Sequence, residues 1–175
     1  YEDCPGHPTW MPPYEWLGVG DGRHPLHLIS NQPETKLHSQ LDHGNHSRAA
    51  KIAGREPIHI HPSDATARGL ANGDIVRVWN DRGACLAGVR IDDGIRTGVV
   101  QMSTSAWYDP ADPGTPGSLC KHGNPNVLTR DKGTSSLGQG PTAHSCLVEI
   151  TRFDDAAPTI TAHDPPVILR PASSA

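Results

Sequence analysis

The sequence has no CxxC pair, no apolar run of membrane length and no basic excess, and each absence removes a class of protein. The four cysteines, Cys4, Cys85, Cys120 and Cys146, are widely spaced in 175 residues. Four in a chain this long do not make a disulfide scaffold, so free thiols in a reducing compartment are expected. No stretch approaches the roughly 20 apolar residues of a membrane-spanning helix, so no membrane partner is expected. Lys and Arg number 15 against 19 Asp and Glu, a net charge of −4, whereas a nucleic-acid binder is more often basic. No nucleophile elbow is visible, nor a nucleophile, base and acid in order, so no separate hydrolytic activity is expected. The chain opens at Tyr1 without a basic-then-apolar leader, and reads as cut from something larger.

What the chain does have is 18 glycines and 17 prolines, which favour turns and short strands over long helices. Its organising stretch is Arg55 to Ile91, REPIHIHPSDATARGLANGDIVRVWNDRGACLAGVRI. Ile58 and Ile60 share one face of a short strand, and His59 and His61 the other. Pro62 stops that strand, because it cannot donate to a ladder. Ser63 and Asp64 offer side-chain oxygens to a helix start, and Gly69 is a left-handed terminator. Asn72-Gly73-Asp74 is turn chemistry. Ile75, Val76, Val78 and Trp79 have the composition of a buried strand, and Ala84 to Ile91 returns as its partner.

Three further strands are predicted, over His24–Ser30, Thr97–Ser103 and Ser145–Thr151. Six short strands with Gly-rich turns suit closure into a barrel, which removes exposed edges. Between the first strand and Arg55, Glu34 to Ala50 predicts one helical turn around Leu37 and Leu41, broken at Gly44-Asn45. Thr104 to Gly123 is a long aperiodic loop, a kind that is often functional. In it, Trp107-Tyr108-Asp109 reads either as a plug pinning the loop or as a ligand contact. Asn124 is placed to cap a short helix with Pro125 at its first position. Residues 1–22 form an irregular ribbon with Trp10, Tyr14, Trp16 and Leu17 as apolar anchors. That ribbon either drapes on its own barrel or meets another domain. Residues 23–151 are expected to be the barrel domain, and 152–175 a tail with Val167, Ile168 and Leu169 docked.

Eleven histidines are present, and His38, His43, His46, His59 and His61 fall within 24 residues. A structural zinc site usually brings thiolates or a compact histidine pattern. No cysteine lies in this cluster, so these are expected to bond backbone or ligand, with a histidine-rich metal domain as the lesser alternative.

Several segments resemble one family. They are HLISNQPETKLHSQLD at 27–42, IHPSDA with NGD at 60–74, and KHGNPNVLTRDKGTSSLGQG at 121–140. In this order they resemble the C-terminal domain of the molybdopterin oxidoreductases. Within the sulfoxide and N-oxide reductase branch the chain is most similar to the biotin sulfoxide reductase-like members. The resemblance implies a mostly-β double-psi β-barrel with short helices. It implies a cofactor, bis-molybdopterin guanine dinucleotide with molybdenum, held together with upstream domains of the same enzyme. It implies oxygen-atom transfer from sulfoxides or N-oxides in a cytoplasmic enzyme, with periplasmic relatives.

The positions carried over as cofactor-binding are Ser30, Asn31, Gln32, His38, Ser39, Gln40, His122, Asn124, Asn126, Thr134, Ser135 and Gln139. Their chemistry suits the task. A pterin presents an amide-like donor and acceptor edge that Asn, Gln and His can read. A pyrophosphate takes hydroxyls, backbone amides and cations, and Lys36 and Arg48 are nearby charges of the solvated-surface type. The family's molybdenum ligand lies in another domain, so no residue here is expected to be catalytic or to bind metal. The alternative is a stand-alone double-psi barrel acting as a binding module.

Overall fold

The computed structural model describes residues 1–20, 22–144, 146–166 and 168. Six strands close into a barrel: β1 (Leu26–Ile29), β2 (Pro57–Ile60), β3 (Ile75–Asn80), β4 (Gly83–Ile91), β5 (Val99–Met102) and β6 (Cys146–Arg152). Around the barrel the order is β1-β5-β2-β4-β3-β6. The pairs β1–β5 and β2–β4 are parallel and the rest antiparallel. The expected closed, mostly-β barrel with short helices is the one observed. Ser145, placed at the start of the last predicted strand, lies outside the described residues.

Alternation drives the closure. Leu26 and Leu28, Ile58 and Ile60, Val76 and Val78, Val100 and Met102, and Val148 and Ile150 all point inward and are buried. Each such Ile or Leu contributes roughly 1.5–3 kcal/mol when taken from water, so the inward faces supply most of the stability. Strand β4 departs from alternation. Ala84 and Leu86 are buried as well as Cys85, Ala87 and Val89. The 104–124 loop pairs along the edge of β4 away from β3 through a parallel bridge between Cys85 and Cys120, where the Leu86 amide donates to the Cys120 carbonyl at 2.8 Å and the Cys120 amide donates to the Ala84 carbonyl at 3.0 Å. All four cysteines are free, and three are buried. Burial pushes the Cys146 thiol up to about 11 against the opposing pull of Arg82, which leaves it a protonated, unreactive filler.

Two local expectations are corrected. The helical turn around Leu37 and Leu41 does not form. Leu37 and Gln40 make an isolated bridge, and His38 and Leu41 have φ of 49° and 63°. Left-handed residues cannot propagate a right-handed helix. The helix α1 (Asn45–Ala50) instead begins where a break was expected, with Gly44 extended at its N-cap and accepting from the Arg48 amide at 2.9 Å. The second correction concerns α2 (Pro62–Ala67), which is capped by neither Ser63 nor Asp64. The His61 Nδ1 accepts the Ser63 amide at 3.1 Å, and Asp64 accepts the Gly98 amide at 2.7 Å, tying the helix to β5.

Residues before and after the barrel are fastened to it. Glu15 of the N-terminal ribbon receives Arg82 at 2.6 and 2.9 Å and the Leu147 amide at 3.0 Å. Trp10, Met11 and Tyr14 stay exposed. After β6 the chain returns along the outside. Arg55 holds the Pro158 carbonyl at 2.6 Å, and Asp109 accepts the amides of Thr161 and Ala162 at 2.7 and 3.1 Å. Of the predicted docked trio, Ile168 is exposed, while Val167 and Leu169 lie outside the described residues.

The close approach of α1's exit to β4 yields a prediction. A Cβ on Gly88 would lie 2.3 Å from the Ile52 Cβ and 2.6 Å from its Cγ2. Gly88→Ala is expected to lower stability by about 1–3 kcal/mol through overpacking. Urea unfolding measures it, and a loss below the error of the method would show that Ile52 yields freely.

Candidate functional site

Parallel pairing decides where the two predicted segments go. Because β1 and β5 run the same way, the loops that follow them leave the same end of the barrel. The first carries Ser30 to Gln40 and the second carries His122 to Gln139. Their bases are joined where the Thr104 amide donates to the Asn31 carbonyl at 2.9 Å. The tip of the β3–β4 hairpin and the start of β6 lie at this end too, since β6 pairs Cys146 with Leu28.

Most of the predicted residues present polar groups here. Asn31, Gln32, His38, Ser39, Gln40, Asn126, Thr134 and Gln139 are exposed, and Asn124 and Ser135 are half-buried. Gln32 Nε2 meets His38 Nδ1 at 3.1 Å, and Asn31 accepts from Gln101. Asn31 and Gln32 line a cleft of about 230 Å³ with Thr35, His59, Arg90 and Gln101. Thr35, Arg90 and Gln101 were not singled out from the sequence, and His59 was noted there only as one of the clustered histidines. Asn124 accepts the Asn126 amide at 2.9 Å and caps the 3-10 helix Pro125–Val127, as its position suggested. His38 and Gln139 both hold positive φ, 49° and 53°. Such strain in non-glycine residues persists only where the surroundings fix it, and it concentrates at ligand sites. Ser30 and His122 are buried and lie beneath this set rather than in it.

Beneath the loops lies a buried charge cluster that sequence reasoning missed. Lys36 is not a surface cation. Its ammonium reaches Asp42 at 3.1 Å and Glu56 at 3.1 Å. Lys51 makes the same pair of contacts at 3.0 and 2.7 Å. Two ammoniums and two carboxylates balance, which is what allows four charges to be buried together. Burial raises the Asp42 carboxyl, but Lys51, His163 and the Trp107 amide outweigh it and hold the group well below the usual carboxylate range. Glu56 joins the two loops, because its amide donates to the His122 carbonyl at 3.2 Å and Gly123 packs against its Cβ.

The aromatic layer above Asp42 completes the foundation. Trp107 donates its indole N–H to the Ser39 carbonyl at 2.7 Å and its amide to Asp42 at 3.2 Å. His163 contacts Asp42 Oδ2 at 3.1 Å, and His122 Nδ1 meets the Trp107 carbonyl at 3.0 Å. That carbonyl assigns the His122 proton to Nδ1. Burial first, and then Lys51, push the His122 pKa down, so the ring is neutral. Asp109 pins the loop, as the plug reading of Trp107-Tyr108-Asp109 supposed, while Tyr108 stays exposed.

Asp42, His122 and His163 offer ligand atoms within 4.8 Å of one another, a spacing that a divalent ion could bridge. The two ammoniums on Asp42 Oδ1 repel a dication, so the group reads as a structural latch. The five clustered histidines are dispersed. His38 meets Gln32, His59 meets Asp92 at 2.9 Å, His61 caps α2, His43 packs on Trp107, and His46 is exposed on α1.

Comparison with known proteins fits this arrangement. The family described as "Molydopterin dinucleotide binding domain" matches residues 26–147. A dimethyl sulfoxide/trimethylamine N-oxide reductase of Cereibacter sphaeroides is 44% identical over 166 residues, 95% of this chain and 20% of the relative. Trimethylamine-N-oxide reductase 1 of Escherichia coli (strain K12) is 48% identical over 164 residues, 92% of this chain and 19% of the relative. A biotin sulfoxide reductase of Cereibacter sphaeroides is 47% identical over 165 residues, 94% of this chain and 22% of the relative. The chain thus spans about a fifth of the length of these curated relatives. Acetylene hydratase from Pelobacter acetylenicus shares the fold, with a TM-score of 0.67 at 17% identity over 83% of this chain and 21% of that one.

Proposed function

Because this chain belongs to the molydopterin dinucleotide binding domain family, we propose that it is the cofactor-holding portion of a molybdenum oxidoreductase of the sulfoxide and N-oxide reductase type. The observation that carries the reading is the joining of two polar, strained loops at one end of a closed barrel, over a shared buried foundation. The donor set fits the group. Asn31, Gln32, His38, Ser39, Gln40, Asn124 and Asn126 supply neutral donors and acceptors suited to the amide-like edge of a pterin. Thr134, Ser135 and Gln139 extend the set along the second loop, and Ser30 and His122 support it from beneath. Lys36 is consumed by its buried pairs and is not available to a pyrophosphate.

When bound, the molybdenum cofactor supplies the redox chemistry of oxygen-atom transfer. The residues of this chain bind it, orient its pterin and exclude water beneath it. None of them is assigned a catalytic part. Substrate choice and the remaining cofactor contacts are assigned to upstream domains of the same enzyme. No nucleic-acid partner is proposed.

The test is the His38→Ala, Asn124→Ala double variant in the complete enzyme. Each lost hydrogen bond removes about 0.5–1.5 kcal/mol, so the double variant's pterin affinity is expected to fall roughly five- to 140-fold. Molybdenum and pterin per chain should drop while the barrel stays folded, with stability lower only by the roughly 1 kcal/mol of the lost Asn124 cap. Full occupancy with normal activity would remove the site assignment.

A further inference from the structure

We propose that the returning segment 158–163 is a positioning element for the loop that presents His38, Ser39 and Gln40, with His163 as its working residue. This rests on the reading of that loop as a cofactor contact. The loop needs outside support. His38 and Leu41 are left-handed, and the turn between them has a single backbone bond across it, from the Gln40 amide to the Leu37 carbonyl at 2.9 Å. Strained turns of this kind persist only when neighbouring structure over-determines them.

The support is Trp107, whose indole N–H holds the Ser39 carbonyl at 2.7 Å. The loop residue His43 packs on that indole at 5.5 Å, and His163 meets it edge-on at 5.4 Å. The His163 Nε2 also reaches Asp42 Oδ2 at 3.1 Å, on the residue that ends the turn, and its ring meets His122 edge-on at 4.9 Å. One side chain from the far end of the sequence therefore touches the anchor of the first loop, the tryptophan holding its crest, and His122 farther along the second loop. Its own place is fixed independently. Asp109 takes the Thr161 amide, the Thr161 hydroxyl and the Ala162 amide at 2.7, 2.7 and 3.1 Å. Lys121 donates to the Thr161 hydroxyl at 2.9 Å. Arg55 holds Pro158. The segment contributes no strand to the barrel, so its removal from the loop need not unfold the molecule.

The experiment is amide hydrogen exchange on the 175-residue chain, read beside cofactor content in the complete enzyme. In His163→Ala, the Gln40 and Gly44 amides are expected to exchange at least about tenfold faster, while strand amides such as Val78 and Ile150 keep their rates. Cofactor content should fall in the same variant. His163→Gln keeps a donor toward Asp42 and should restore most of both.

Unchanged loop exchange in His163→Ala would overturn the proposal. So would an equal acceleration of loop and strands, which is the mark of general destabilisation. A loosened loop with full cofactor would also overturn it. The His38→Ala, Asn124→Ala variant then separates the causes. If that variant also keeps its cofactor, the reading of the loop has failed. If it loses cofactor, the failure belongs to His163 alone.

Discussion

Asp42→Ala is expected to lower folding stability by about 3–5 kcal/mol, the cost of breaking a buried ion pair and leaving the partner charge uncompensated. Asp42 is fully buried and receives Lys36 at 3.1 Å, Lys51 at 3.0 Å, His163 at 3.1 Å and the Trp107 amide at 3.2 Å. Without it, two buried ammoniums share Glu56, which can balance one. Asp42→Asn keeps the shape and removes only the charge, so its loss should be intermediate. Urea unfolding at neutral pH measures all three proteins. A loss under about 1 kcal/mol would place these charges in the range of solvated surface pairs and undo the account of a buried foundation.

The same residue sets an acid limb. Its folded-state carboxyl is held below the ordinary value, so its stabilisation is present above the unfolded carboxylate pKa and is lost as pH falls toward the folded one. Wild-type stability should decline below about pH 4 more steeply than that of Asp42→Ala, which has no such proton to bind.

The barrel was legible because period-two alternation survives in five strands. Pairs such as Leu26 and Leu28 or Ile58 and Ile60 announce an inward face in any local window. The cap at Asn124 was legible for the same reason, since cap, proline and turn are neighbours in sequence. The foundation of the site was not. Asp42 reads like any loop carboxylate, and Lys36 reads like a surface charge, until Glu56 and Lys51 are seen to meet them. His163 lies 121 residues from Asp42, in a segment without period. Long-range polar contacts leave no periodic trace, so only folding exposes them. The left-handed turn at His38 and Leu41 was hidden by favourable helix composition, which tertiary anchoring through Trp107 overrides.

The junction between the two loops depends on Gly123, and Gly123→Ala is expected to act on stability and cofactor together. Gly123 has φ of +92°, and a Cβ there would lie 2.8 Å from the Glu56 Cβ, 3.1 Å from its amide nitrogen and 3.2 Å from the Leu86 carbonyl oxygen. Two costs add. A left-handed non-glycine residue costs roughly 1–3 kcal/mol, and overpacking against backbone roughly another 1–3 kcal/mol. Gly73 supplies the control, with φ of +88° and nothing within 4 Å of a built Cβ. Gly73→Ala therefore carries the backbone term alone, and the difference between the two alanine variants measures the close approach. The relief open to Gly123→Ala is to move His122 to Asn124 away from Glu56. That parts the second loop from the first and should lower pterin content in the complete enzyme, whereas Gly73→Ala should leave it unchanged. Equal losses of stability in the two variants, with equal cofactor content, would show that the loops are not fixed against each other at this point.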